Sequence, residues 1–362
     1  MPMEGGRITD DSRIRAAQPT IDKLREMGAR VLVTSHLGRP KGVDQSLSLA
    51  PVARAMGLAF AKNCVGPEAE KAARALKDGD AVLLENVRFH PEEEADDPEF
   101  ARQLASLAEV FVNDAFAASH RAHASVVGVA AYLPAYAGLL MLGELDALHK
   151  ALDEPRRPLT AIVGGAKIST KVGMLRNLLP KVQHLIVCGA MANTFFKARG
   201  ADVAASLVED SALDEARRVE KEAGDKLLLP VDTLCAQKVE AGAPTRVSGV
   251  NHVESGWMIL DIGPRSIELF RDRLRGAGTV VWNGPAGVFE VPDFSRGTRA
   301  IGEAILASGA YSLVGGGDTA AAVEKLGLRG FSHISTGGGA TLEYLEGKEL
   351  PGVAILKEGE HG

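Results

Sequence analysis

Short runs rich in valine, isoleucine and leucine recur along this chain with helical patterns between them. That alternation constrains it to parallel strands covered on both faces. In the first half the runs are Val31–Ser35, Ala81–Glu85 and Val110–Asn113, and Pro51–Lys62 and Glu68–Lys77 between them place apolar residues about one helical turn apart. In the second half they are Thr160–Val163, His184–Cys188, Lys226–Pro230, Met258–Asp261, Thr279–Trp282, Ser312–Val314 and His333–Ser335. Two sheets accommodate these runs more economically than one very wide sheet, and 362 residues suffice for two cores. The expected fold is α/β, with two doubly wound parallel-sheet domains of similar size joined by a hinge helix. The boundary falls near Glu144–Pro158, where a helix with Leu145, Leu148 and Leu152 on one stripe meets Pro155-Arg156-Arg157-Pro158. This gives domains at 1–148 and 149–347, with an apolar tail, Leu350–Leu356, able to dock elsewhere.

Charge narrows the partners. With 41 basic and 47 acidic residues the net charge is -6, which argues against a nucleic-acid partner or an anionic membrane surface, so any cationic site must be local. Cys64, Cys188 and Cys235 are odd in number and lack CxxC spacing, which excludes a zinc cluster or disulfide framework built from them and fits a reducing cytoplasm. No apolar run approaches the roughly 18 residues of a membrane span, and Met1–Gly6 lacks the blocks of a signal peptide.

Four glycine-rich turns punctuate the second half: Gly164-Gly165-Ala166-Lys167, Trp282–Glu290, Gly315-Gly316-Gly317-Asp318-Thr319 and Thr336–Ala340. Each follows an apolar run and precedes a helical pattern, where free backbone N–H groups and the positive helix end favour phosphate. In the first turn, Lys167 and Lys171 would share one face of the following helix; the alternative is two solvated surface lysines. The Walker A pattern is absent, and Gly276-Ala277-Gly278 runs into Thr279-Val280-Val281 instead of forming a dinucleotide fingerprint. Asp318 reads as an N-cap or a magnesium ligand, and Glu290 as an exposed loop residue or an acceptor for ribose hydroxyls.

The first half carries cations at the same kind of position. Ser35-His36-Leu37-Gly38-Arg39 ends one strand, while Asn86-Val87-Arg88 and Ser119-His120-Arg121 follow two others. Ligands in open α/β sheets bind outside the carboxyl ends of strands, and several arginine forks converging there imply a small, strongly anionic ligand. Any single arginine could equally be half of an ion pair. His90, His120 and His123 lack metal-ligand company and read as structural or solvated.

Together these segments resemble the phosphoglycerate kinase family. The resemblance runs from Arg7–Ile14 through His36–Arg39, Leu84–Phe89, Asn113–Phe116, Gly164–Lys171, Met191–Phe195, Trp282–Glu290 and Gly315–Thr319 to Ser335–Ala340. It implies reversible transfer of the acyl phosphate of 1,3-bisphosphoglycerate to Mg-ADP, giving 3-phosphoglycerate and Mg-ATP in glycolysis, by a monomer whose domains close about a hinge. Matched motif by motif, Arg13, His36, Leu37, Gly38, Arg39, Arg88 and Arg121 would hold phosphoglycerate. Lys171, Glu290, Gly315, Gly316, Gly317, Asp318 and Thr319 would hold ADP or ATP, with Asp318 on Mg2+, and Arg13 and Lys167 would flank the transferring phosphoryl group. The tail 348–362 would return to the N-terminal domain.

One departure stands out. The family begins with a strand of the type Arg-Val-Asp-Phe-Asn-Val-Pro, whereas here Met1 and Pro2 fall at its Val and Pro. The expectation is an internal valine codon read as the start, in a natural protein that is longer. The chain as given would then bind nucleotide with weak or absent turnover. Gly189-Ala190 before Met191 replaces a frequent glycine pair. The reading from another class is a non-catalytic nucleotide-binding protein.

Overall fold

The computed structural model describes residues 3–4 and 7–356, with side chains from Ile8 onward. Met1, Pro2, Gly5 and Gly6, on which the reading of the start turns, lie outside the described residues, as do residues 357–362 of the tail. The chain divides into two compact units. One runs through Glu144 and resumes at Glu349; the other is Leu145–Lys348. The helix Leu139–Leu152 carries the chain across this division.

The second unit is built on a six-stranded parallel sheet, in the order Leu227–Leu228, His184–Val187, Leu159–Val163, Thr279–Asn283, Tyr311–Gly315, His333–Ile334. Leu159–Val163 and Thr279–Asn283 are buried at every position, because helices cover both faces and neither face needs polar side chains. One core cluster joins Ile162, Ile186, Val280, Trp282 and Val314 of the sheet to Phe270 and Leu274 of helix Pro264–Leu274 and Ile301 and Ile305 of helix Arg296–Ser308. Register aligns the strand ends. Asn283 lies opposite Val163 on one side and Gly315 on the other, and Val163 lies opposite Val187. Neighbouring strands therefore end level, and the glycine turns begin side by side.

A second sheet in this unit departs from the sequence reading. Met258–Ile262 joins no parallel set; it pairs antiparallel with Asp232–Ala236, which pairs antiparallel with Thr245–Gly249. Thr-Arg-Val-Ser-Gly is an edge strand with little buried surface, so its apolar alternation is too weak to mark it.

In the first unit, three parallel strands lie in the order Val31–Val33, Ala81–Leu84, Ala59–Ala61, and a separate parallel pair joins Phe111–Asn113 to Ala135–Ala137. Pro51–Lys62 is not one helix. The helix is Ala50–Met56; Gly57, at φ 64°, turns it into the left-handed region, and Ala59–Ala61 continues as a strand. Apolar residues on both sides of Gly57 keep a helical spacing, so periodicity alone merged two elements. Helix Pro98–Ala105 shows the ordinary logic of the fold: the Asp97 side chain accepts from Phe100 N, and Phe100, Ala101 and Leu104 are buried on one stripe. The tail ends in a short helix, Pro351–Ala354, where Asn113 Nδ2 donates to Gly352 O at 2.8 Å and Gly352 N donates to Ser119 O at 2.9 Å.

Candidate functional site

Two groups of side chains collect at the carboxyl ends of strands, one in each unit. In the first unit, the segment after Val31–Val33 and the turn after Ala81–Leu84 are laced together. Arg88 is buried, donates from Nη1 to Gly38 O at 2.8 Å, and places Nε 3.1 Å from Glu94 Oε1. Burial pushes its guanidinium pKa down, Glu94 opposes that, and Arg121 and Arg39 add like-charge repulsion. His36 feels the same field. Enclosure of the ring, then the charges of Arg88, His123 and Arg13, push its pKa down to about 3. His36 keeps exposed surface, and its cationic neighbours lower the pKa even without enclosure. The imidazole is therefore neutral at physiological pH. Arg13 stands exposed in the first turn of helix Ser12–Glu26, Arg39 is exposed, and Arg121 is half-buried with Nε 3.1 Å from His120 Nε2.

These mutual influences place Arg13, His36, Arg39, Arg88 and Arg121 in one electrostatic neighbourhood. Leu37 is a correction. Its side chain is 4% exposed and packs with Leu49, Val52, Ala53 and Leu83, so it offers a ligand no side chain. Gly38 is at φ 67°, and its carbonyl is taken by Arg88. The histidines read as structural have partners: His90 Nε2 is 2.9 Å from Asn63 Oδ1, and His123 Nδ1 is 3.8 Å from the buried Glu93.

In the second unit the glycine turns interlock through backbone. Gly164 N donates to Asn283 O and Gly165 N to Pro285 O, while Asn283 Nδ2 donates to Gly315 O at 3.0 Å. Lys171 does not share a helical face with Lys167, because the helix starts only at Val172. Its Nζ turns inward to the carbonyls of Gly164 at 2.7 Å and Asn283 at 3.3 Å, and burial lowers its pKa to about 8. Lys167 is exposed, beside a cleft of about 390 Å³ lined also by Ala166, Leu207, Glu209 and Ser211. Glu209 braces this turn by accepting from Ser169 N at 3.0 Å and from the Ser169 hydroxyl.

The Gly315–Thr319 turn opens helix Gly317–Lys325, with Gly316 at the N-cap at φ 90°. Asp318 is thus inside the first turn and exposed, not the cap. Thr319 is buried; its hydroxyl accepts from Gly284 N at 2.7 Å and donates to Gly315 O at 2.8 Å, so it fastens the turns to each other. Glu290 is exposed, with its carbonyl accepting from Lys325 Nζ at 2.7 Å. Sequence reasoning overlooked Asn283, although it lies inside the Trp282–Glu290 turn; an asparagine closing a fully buried strand was the available signal.

Close approach of backbone here requires glycine. A Cβ at Gly164 would press on the Pro285 and Gly284 carbonyl oxygens, the latter at 2.6 Å, and one at Gly189 would lie 2.7 Å from Gly165 N. Neither neighbour is a flexible side-chain end. Gly164→Ala should therefore destabilise the protein by about 1–3 kcal/mol and weaken ADP binding, as read by thermal unfolding and calorimetry. Parent-like values for both would show that the turns can separate without cost.

Comparison with known proteins gives a consistent result. A family model described as phosphoglycerate kinase matches residues 1–348. The chain is 55% identical to the phosphoglycerate kinase of Moorella thermoacetica, over 99% of this chain and 94% of that protein. It is 54% identical to that of Pelotomaculum thermopropionicum, over 98% and 93%. Among solved structures, phosphoglycerate kinase from Coxiella burnetii superposes with a TM-score of 0.92 at 45% identity, covering 99% of this chain and 94% of that one. The enzyme from Pyrococcus horikoshii does so with a TM-score of 0.85 at 31% identity, over 99% and 94%.

Proposed function

The chain belongs to the phosphoglycerate kinase family and is a phosphotransferase, and we propose that its two units divide the reaction, phosphoglycerate on the first and Mg-nucleotide on the second. The observation that carries this reading is the level ending of Leu159–Val163, Thr279–Asn283 and Tyr311–Gly315, which sets three glycine turns side by side with Asp318 and Lys171. Backbone N–H groups and a helix start suit a phosphate chain.

In this reading Arg39, Arg88 and Arg121 hold the phosphate and carboxylate of the glycerate, and the neutral His36 hydrogen-bonds without adding charge. Gly315–Gly317 approach the nucleotide phosphates, and Glu290 accepts from the ribose. Lys171 acts mainly from beneath, tying Gly164 to Asn283. A terminal oxygen of ADP forms the new P–O bond as the acyl P–O bond breaks, and the electron pair leaves on the carboxylate. No protein nucleophile is needed, so the protein's contribution is positioning and charge stabilisation. Arg13 supplies charge from the phosphoglycerate side and Lys167 from the nucleotide side.

Asp318 fits Mg2+ in a particular way. Among the described residues no group of three or more potential ligands comes together, so one exposed carboxylate suits an ion that keeps waters and shares substrate phosphates. Bound there, the ion would neutralise phosphate charge. Among the described residues, no helix is long and apolar enough to cross a membrane, and Cys64, Cys188 and Cys235 are free and buried; a cytoplasmic location agrees with these, and a monomer is what the family resemblance implies.

ATP formation from 1,3-bisphosphoglycerate and ADP, measured by coupled assay beside ADP calorimetry, tests the whole. Turnover that stops on chelation of Mg2+ is expected. ADP binding without any turnover would instead favour a non-catalytic nucleotide-binding protein.

A further inference from the structure

Three successive contacts pin the segment that carries His36 and Arg39. Val87 N donates to Ser35 O at 3.2 Å, Asn86 Nδ2 to Leu37 O at 2.8 Å, and Arg88 Nη1 to Gly38 O at 2.8 Å. All three donors belong to the turn after Ala81–Leu84. Two of them are a backbone amide and a cation already assigned to the ligand. Asn86 is different: it is 1% exposed, so it cannot touch a ligand, yet its amide is almost fully engaged. The second Nδ2 proton goes to Leu47 O at 3.0 Å, and Oδ1 accepts from Arg88 N at 3.1 Å. Glu85 steadies it from behind, accepting from Asn86 N at 2.7 Å, Leu49 N at 2.8 Å and the Ser48 hydroxyl at 2.6 Å.

We propose that Asn86 is a positioning residue for phosphoglycerate: its amide fixes the segment bearing His36 and Arg39 at one distance from the turn bearing Arg88. The proposal rests on the reading in which those three side chains hold phosphoglycerate. A planar buried amide suits the task. Its two donors and its acceptor are locked in one plane, and a buried bond of this kind is costly to leave unmade. Multivalent recognition of a small anion depends on the spacing of its cations, so slack of about an ångström is felt in binding.

Asn86→Asp is the direct test, since it keeps the shape and the acceptor for Arg88 N but turns an acceptor toward two carbonyls. The KM for 3-phosphoglycerate should rise roughly tenfold at pH 8, with the KM for ATP and the saturated kcat within about twofold. Part of the loss should return at pH 6, where the buried carboxyl takes a proton and regains one donor. Asn86→Ser, smaller and able to admit water, should show the same selective rise if the aspartate variant fails to fold. Val219→Ala, buried in helix Leu213–Ala223 of the second unit, is the stability control and should move neither KM. An Asn86 variant that lowers Tm but leaves the 3-phosphoglycerate KM unchanged, or shifts both KM values alike, would overturn the proposal. Arg39→Ala separates the underlying reading. If it leaves the 3-phosphoglycerate KM unmoved, the cationic site itself is misassigned and the proposal falls with it; if it raises that KM while Asn86 variants do not, the proposal alone fails.

Discussion

Replacing Arg13 by alanine should slow phosphoryl transfer by about 10³–10⁵ while leaving ADP affinity and folding near parent values. Arg13 occupies the first turn of helix Ser12–Glu26, a turn without acidic residues. A cation there opposes the positive end of the helix, where carboxylates are favoured by a few tenths of a kcal/mol. Its neighbour Arg15 is paired with Asp11, whereas among the described residues Arg13 makes no ion pair and stays exposed. The Arg13 charge favours the Asp10 carboxylate, which accepts from Ser12 N at 2.8 Å, but no direct bond to that carboxylate holds the guanidinium, which is the pattern expected where a side chain serves a ligand. In the ground state the donor phosphoryl group already carries charge; in the transition state that charge spreads over three equatorial oxygens, and a guanidinium fork placed for them binds the second state more strongly. Removing it should therefore reduce kcat more than it raises KM. Arg13→Lys keeps the charge but not the fork, and an intermediate rate is expected. Single-turnover measurement with saturating substrates, alongside Tm, is the check. A kcat within tenfold of the parent would remove Arg13 from the reacting centre.

How much of the fold was legible in the sequence depended on how far apart the interacting residues lie. Strands such as Leu159–Val163 and Thr279–Asn283 were legible because burial on both faces leaves continuous apolar runs. The half-exposed hairpin around Thr245–Gly249 was not, and Met258–Ile262 was placed in the wrong sheet as a result. Cations and glycines at strand ends were visible as residue types in a sensible place. Their supports were invisible: Asn86 finds its carbonyls 49 and 39 positions away, and Lys171 reaches across 112 positions to Asn283. The sequence presented Lys171 as a surface cation on a helix, but only the folded turns reveal carbonyls that draw it inward. Likewise Thr319 and Gly284, 35 positions apart, close one hydrogen bond that no local pattern announces.

Asp261 shows the same limit and carries the second large expectation. In sequence it merely ends an apolar run. In the fold it is 1% exposed, with Oδ1 accepting from Ile262 N at 2.8 Å and Oδ2 from Gly297 N at 2.7 Å. A Cβ at Gly287 would lie 2.5 Å from Asp261 Cγ, so the Trp282–Glu290 turn packs directly on this carboxyl. Burial pushes its pKa up to about 7, against the pull of the two amides and Arg296. A carboxyl raised in the folded state keeps its proton where the unfolded chain has lost it. Its contribution to stability is full below the unfolded value near 3.9 and disappears as pH rises through about 7. A rise from 3.8 to about 7 corresponds to a loss on the order of 4 kcal/mol. Asp261→Asn cannot ionise and should lack this slope. Denaturant unfolding between pH 4 and pH 8 should therefore show the variant gaining on the parent by a few kcal/mol as pH rises, whatever its penalty at pH 4. The carboxylate formed above pH 7 lies against Gly287, so ADP affinity of the parent should weaken over the same range and that of Asp261→Asn should not. Parallel stability curves for the two proteins would mean that Asp261 is ionised throughout, with its two amides outweighing burial.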